Sequence, residues 1–220
     1  MHISKPSKAV DELYKGWLIY SPNVSSERDG PYESYQGNGQ LWQKGTYVAD
    51  ERDGPHEGYY ENGQLKEKST YVAGERDGPF EFYHGNGQLW QKGTYVADEV
   101  NGPVEFYHEN GQLEAKSTYV ADECDGPYEL YHENGQLKEK STFVAGEFDG
   151  PFESYYENGQ LLWKGTHAAS ELDGPYESYH ESGQLCLRGT YNMGVKCGEW
   201  IEDGETVTHD PCPPGLEDGN

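Results

Sequence analysis

The chain has 220 residues, with 40 Asp or Glu against 16 Lys or Arg and a formal net charge of −24. Such an excess repels nucleic acid phosphates and anionic lipid headgroups, which excludes nucleic acid as a partner, disfavours membranes and favours a cationic protein. Leu, Ile, Val and Phe are so sparse that composition alone reads as disorder, but the 19 Tyr and a strict internal period overrule that reading.

Residues 1–23 are expected to form an N-terminal cap, a strand or short helix folded over the first repeat. Their apolar run Trp17-Leu18-Ile19-Tyr20 is too short for a signal peptide core or a membrane span. A cytoplasmic location is therefore expected, with a secreted or surface location by a non-standard route as the alternative. From residue 24 to residue 197 one phrase of 24 residues is written seven times, opening on Gly-Pro at Gly30, Gly54, Gly78, Gly102, Gly126, Gly150 and Gly174. A fixed period of this length marks an array in which each unit packs on its neighbours.

The first copy, Gly30 to Asp53, places two Tyr-, Thr- and Val-rich runs around Asn38-Gly39. Asn-Gly between such runs is the strongest short-range hairpin signal, and the charged link ending in Gly-Pro suits a second, solvated turn. The predicted fold is all-β: an elongated antiparallel β-meander of tandem 24-residue hairpins, in a single-layer twisted or curved sheet. Each repeat then advances the sheet by about 10 Å.

Three columns recur from copy to copy and are read as structural. One is Tyr35, Tyr59, Tyr83, Tyr107, Tyr131, Tyr155 and Tyr179. The second is Leu41, Leu65, Leu89, Leu113, Leu137, Leu161 and Leu185, and the third runs from Tyr47 through Tyr71, Tyr95, Tyr119, Phe143 and His167 to Tyr191. Gly or Ser two residues before each member of the third column leaves room for a ring to lie across the backbone. Leu41 and Tyr47 share strand parity and are expected on one face. A type I turn with a Gly bulge sets Tyr35 opposite Leu41 and gathers all the apolar columns on that face, whereas a two-residue type I′ turn sets Glu33 opposite Lys44. The bulged register is preferred; the paired Glu and Lys columns argue for the other.

The recurring Gly-Pro-x-Glu-x-Tyr-x-x-Asn-Gly-Gln-Leu and Lys-(Gly/Ser)-Thr-Tyr-Val resemble the MORN (membrane occupation and recognition nexus) repeats. The similarity is greater still to the bacterial MORN-repeat variant, whose members are often labelled antitoxin components of toxin–antitoxin systems. The resemblance covers about residues 30–197 and implies a binding or scaffolding module built from strings of β-hairpins.

No catalytic residues are expected, because an array repeats like groups at fixed distance whereas catalysis needs unlike groups to converge. No phosphate loop, nucleophile elbow or zinc-protease helix motif is present, and no cofactor or metal is expected. The histidines His84, His108, His132 and His180 stand about 10 Å apart, too far to share one ion, and are read as sheet-surface side chains. Recognition is expected where copies differ, above all at Trp42, Lys66, Trp90 and Lys138 after the Leu column, with His84, His108 and His132 beside them. At that position Trp either anchors a partner or covers the next hairpin. Trp163, one residue further on, is expected in the core.

Residues 198–210 are expected to add capping strands, and residues 211–220, opening on Pro211-Cys212-Pro213-Pro214, a flexible tail. Cys124, Cys186, Cys197 and Cys212 follow neither the period nor a metal spacing and are read as reduced thiols, with a Cys186–Cys197 bridge as the alternative. The expected function is a non-enzymatic protein-binding module presenting an acidic, Tyr-rich β-surface, an antitoxin or immunity-type neutraliser of a basic protein. An extracellular adhesin or glycan binder, and a structural scaffold or spacer, are the alternatives.

Overall fold

The computed structural model describes residues 27–216, so the cap expected over residues 1–23 and the end of the expected tail lie outside the described residues. The chain divides into two compact units, Met1–Glu99 and Val100–Asn220. Among the described residues the regular structure is all β, in antiparallel hairpins repeating every 24 residues, as the sequence predicts.

In the first unit β1 (Gly30–Tyr35) pairs with β2 (Leu41–Val48), and the two-residue β3 (Glu51–Arg52) extends the outer end of β2. Next, β4 (Gly54–Tyr59) pairs with β5 (Leu65–Val72), β6 (Glu75–Arg76) extends β5, and β7 (Gly78–Tyr83) pairs with β8 (Leu89–Val96). Successive hairpins join through β2–β4 and β5–β7. The short β9 (Glu99–Val100) follows in the chain. In the second unit β10 (Gly102–Tyr107) pairs with β11 (Leu113–Val120), and β12 (Glu123–Tyr131) with β13 (Leu137–Val144). After β14 (Glu147–Phe148), β15 (Gly150–Tyr155) pairs with β16 (Leu161–Ala168). After β17 (Glu171–Leu172), β18 (Gly174–Tyr179) pairs with β19 (Leu185–Asn192). A last hairpin, β20 (Val195–Glu202) and β21 (Glu205–Thr208), closes this unit on β19.

Both candidate registers are present in one hairpin. Tyr35 lies opposite Leu41 and Glu33 lies opposite Lys44, because the register shifts between Ser34 and Tyr35 and leaves Trp42 as an extra residue on β2. The turn itself is type I followed by a left-handed Gly: Gly39 N–H donates to Gln36 O at 2.8 Å, and Gly39 has φ 84°. Asn38 contributes its carboxamide, whose Oδ1 accepts from Gln40 N at 2.9 Å. The type I′ geometry falls at the other link instead. Val48 pairs with Glu51 across Ala49 (φ 49°) and Asp50 (φ 70°), a two-residue turn whose first position is an alanine held in the left-handed region. Hydrogen bonds from the segment just before β1 secure it, with Asp50 N donating to Arg28 O at 3.0 Å and Arg28 N donating to Asp50 Oδ1 at 2.7 Å.

The extra residue also redistributes the columns between the two faces. Along unbroken β1, Tyr32 and Glu33 point to opposite faces, and Tyr35 hydrogen-bonds Glu33 on the same side. Leu41, opposite Tyr35, therefore lies with the Glu and Lys columns. Tyr47, whose ring centroid is 4.6 Å from that of Tyr32, belongs to the other face. This corrects the expectation that Leu41 and Tyr47 share a face and that all three apolar columns gather there. The bulge at Trp42 breaks strand parity between them.

The core column is one that varies from copy to copy: Tyr32, His56, Phe80, Val104, Tyr128, Phe152, Tyr176 and Trp200. Phe80, Val104 and Trp200 are its fully buried members. Each of the first seven residues lies opposite the Gly or Ser of its hairpin, and the missing or small side chain is what admits the ring. Trp200 completes the series in the closing hairpin, stacking edge-on against Tyr191 with its indole N–H donating to Cys197 O at 3.0 Å.

Cys197 and Cys212 form a disulfide, while Cys124 and Cys186 are free. The reading of four reduced thiols is corrected for this pair, and the alternative Cys186–Cys197 bridge is replaced. Gly198 exchanges backbone hydrogen bonds with His209 and Asp210, which brings the chain back to β20 and buries Cys212 beside Cys197. The tail reading therefore does not hold for Cys212.

Candidate interaction surface

On the face opposite the core, Glu, Lys and Tyr form a ladder that crosses from repeat to repeat. In the first unit Lys44 Nζ lies 2.9 Å from Glu57 Oε2, and Lys68 Nζ lies 3.6 Å from Glu81 Oε2. In the second unit the pairs are Lys116–Glu129 (2.9 Å), Lys140–Glu153 (2.7 Å) and Lys164–Glu177 (2.8 Å). Each of these Glu also accepts a hydrogen bond from the Tyr two residues on, as in Tyr59–Glu57 and Tyr131–Glu129. The Tyr59 hydroxyl, then Lys44, hold the Glu57 carboxyl below its ordinary value. Tyr131 followed by Lys116 do the same for Glu129, and Lys140 followed by Tyr155 for Glu153. At Glu177 burial pulls upward, and Lys164 and Tyr179 outweigh it. Desolvation and the Glu hydrogen bond together raise Tyr59 and Tyr131. The ladder is thus internally neutralised, and in solvent each pair adds little stability by itself.

A second set of acidic residues lies along the hairpin ends. At the type I′ turns Glu51, Glu75 and Glu99 in the first unit, and Glu123, Glu147 and Glu171 in the second, are all exposed. The Asn-Gly ends expose Glu61 in the first unit and Glu109, Glu133, Glu157 and Glu181 in the second.

The residues expected to bind a partner fall into two groups. Trp42 is 52% and Trp90 42% exposed, the latter packing against Phe82 and His84 of its own hairpin. Trp163 is 39% exposed, which corrects its expected place in the core: its neighbours Gly165 and Ser178 leave the rings of Phe152 and Tyr176 to fill that layer. Lys66 is exposed with Nζ 5.9 Å from the Tyr60 ring, and Lys138 is exposed. The histidines serve the stack. His108 Nε2 meets Tyr131 O at 3.2 Å and His132 Nε2 meets Tyr155 O at 2.9 Å, the position from which Tyr60 and Tyr156 donate to Tyr83 O and Tyr179 O. His84, in the same column, is half-buried.

One cluster of unlike groups was not legible from the period. A ring nitrogen of His180, Sγ of Cys186 and a carboxylate oxygen of Asp203 lie within 4.8 Å of one another. The signal that could have located it is that Asp203 stands where the Tyr column would place its next member, 24 residues after Tyr179.

A family model described as "MORN repeat variant" matches residues 28–49, 52–73, 76–97, 100–121, 125–145, 148–166 and 172–193. The chain belongs to the MORN repeat variant family. The seven matches follow the 24-residue phrase through both units, so the MORN repeat here is the hairpin with its bulged Asn-Gly turn and its type I′ return. No match is found among curated proteins. Among solved structures, this MORN repeat chain is similar to one in a GtfA/B complex bound to UDP and GlcNAc (14% identity, TM-score 0.17, 55% of this chain and 21% of that one). It is also similar to one in a TcdB2-TccC3 structure (12% identity, TM-score 0.26, 93% of this chain and 15% of that one). The chain thus spans about a fifth or less of either, and at these scores neither likeness bears on its function. Among the described residues no helix is long and apolar enough to cross a membrane.

Proposed function

We propose that this MORN repeat protein is a non-enzymatic binding module that captures a basic protein partner, acting as an antitoxin or immunity-type neutraliser. The observation that carries the reading is the separation of charge: Lys–Glu–Tyr ladders are satisfied within the sheet, while exposed Glu residues such as Glu51, Glu61, Glu123 and Glu133 form acidic rims along the hairpin ends. Complementary charge along such a rim accelerates encounter with a cationic protein, and exposed Trp42 and Trp90 supply the desolvated anchors that interfaces use. Affinity capture from the native host at low and high salt tests it. A basic protein retained at low salt and released at high salt supports the reading, and recovery of only acidic or salt-insensitive partners overturns it.

The Cys197–Cys212 disulfide favours a second reading, in which the protein works in an oxidising compartment as a surface adhesin or glycan binder. Cell fractionation together with a glycan array separates the two: a cytoplasmic location and an array without hits dispose of the second.

A further inference from the structure

We propose that His180, Cys186 and Asp203 form a zinc-class divalent cation site in the second unit, with a fourth coordination position open to solvent. The three ligand atoms lie within 4.8 Å of one another, and His180 Nε2 is 3.1 Å from Asp203 Oδ1. Ligands at about 2.0–2.3 Å around a tetrahedral ion stand roughly 3.3–3.7 Å apart, so only a small closure is needed. An imidazole, a thiolate and a carboxylate together suit a borderline-soft ion such as Zn²⁺ better than a hard one such as Mg²⁺ or Ca²⁺.

The fold builds this arrangement once among the described hairpins, and for an identifiable reason. At the equivalent position His108 and His132 spend Nε2 on the backbone carbonyl of the Tyr 23 residues on. In the closing hairpin that Tyr is replaced by Asp203, set in a two-residue turn with Gly204 (φ 47° and 88°) in which Glu202 pairs with Glu205. Asp203 N donates to Cys186 O at 2.8 Å, so backbone geometry fixes the carboxylate over the thiol and beside the imidazole. In other copies the Cys186 position holds Trp42, Lys66, Trp90, Glu114, Lys138 or Leu162. Of these only Glu114 is a ligand type, and it approaches His108 (3.9 Å) with no third ligating side chain among the described residues. Cys186 is half-buried and outside the Cys197–Cys212 bridge, so its sulfur is free to ligate an ion. The ion would tie the turn of the closing hairpin to the seventh repeat.

The test is titration of the oxidised full-length protein with Co²⁺, a spectroscopic stand-in for Zn²⁺, followed by competition with Zn²⁺. One equivalent giving a thiolate-to-cobalt charge-transfer band with the visible bands of tetrahedral cobalt, displaced by Zn²⁺, is the expected result. The charge-transfer band persists in Cys124→Ser and is abolished in Cys186→Ser. His180→Gln and Asp203→Asn each weaken cobalt binding by about tenfold or more. All four changes fall on exposed or half-buried side chains, and circular dichroism confirms that the sheet is retained. Cobalt bound without a thiolate band, or a band unchanged in Cys186→Ser, overturns the site and leaves only adventitious binding to the acidic rims.

Discussion

Gly189 lies so close beneath Trp200 that a Cβ on the glycine would stand 2.1 Å from Trp200 Cδ2, a distance no real contact adopts. The same relation is milder at Gly45 and Gly165, where the added atom would meet Tyr32 Cε1 and Phe152 Cε1 at 2.9 Å. Ser69, Ser117 and Ser141 carry that atom opposite His56, Val104 and Tyr128. Gly189→Ala is therefore expected to destabilise its unit by about 3 kcal/mol, with Gly45→Ala costing less, because overpacking forces rings off their rotamers. Denaturant unfolding followed by tryptophan fluorescence checks the order; equal midpoints for the two variants would remove the ring-over-glycine account.

Ala73 sits at φ 48° before Gly74 in a two-residue turn. Ala73→Asn restores the residue pair that such a turn favours, and should raise stability by about 1 kcal/mol by relieving left-handed strain. Replacement by Val at the same position should lower it.

The Cys197–Cys212 bridge spans 15 residues and closes the chain around Trp200. Removing it with Cys197→Ser and Cys212→Ser together should lower stability by about 3 kcal/mol, chiefly by freeing the unfolded chain. Reduction of the native protein should give the same shift in thermal midpoint, and an unchanged midpoint on reduction contradicts this.

Separate pH windows follow from the ladder and from His56. Glu57, Glu129, Glu153 and Glu177 are held below the ordinary carboxylate value of 4.5 in the folded protein, so their contribution is complete above that value and disappears as pH falls through their lowered range. Lys44, raised by Glu57 and then Tyr59, and Tyr59 itself, raised from 10.0, contribute fully below pH 10 and lose their contribution as pH rises beyond it. His56 is pushed down from 6.5 by burial and then by the Arg52 charge, against the pull of Glu67 and Glu57, so stability should begin to fall below pH 6.5. His56→Phe, the residue the column carries at Phe80, should reduce that first loss to the part contributed by His167, which burial also holds below 6.5, and leave the carboxylate one. Denaturant midpoints measured from pH 3 to pH 11 show both, and a His56→Phe profile identical to the native one would refute the histidine assignment.

Trp42 packs little surface within its hairpin, so Trp42→Ala should change stability by no more than about 0.5 kcal/mol while weakening capture of a basic partner by about 1–2 kcal/mol. A variant that binds as tightly as the native protein would remove Trp42 from the interface and leave the rims alone to account for capture.

By itself the sequence determined the repeat length, the antiparallel hairpin and the two turns of each unit. These are local matters, decided by Asn38-Gly39 at one end of each hairpin and by the short charged link at the other. It offered Tyr35 opposite Leu41 and Glu33 opposite Lys44 as alternatives, preferring the first, but did not show that one hairpin satisfies both, because the bulge at Trp42 depends on how β2 meets the strands on either side. Only the tertiary structure decided which column is core. The most repeated residues, Tyr35 and its equivalents, serve a hydrogen-bonded polar face, while the variable series from Tyr32 to Trp200 fills the space that Gly and Ser vacate one strand away. Pairing of Cys197 with Cys212, and the convergence of His180, Cys186 and Asp203, belong to the same class. Both arise where the period stops, and there contacts between residues distant in the chain replace repetition as the source of structure.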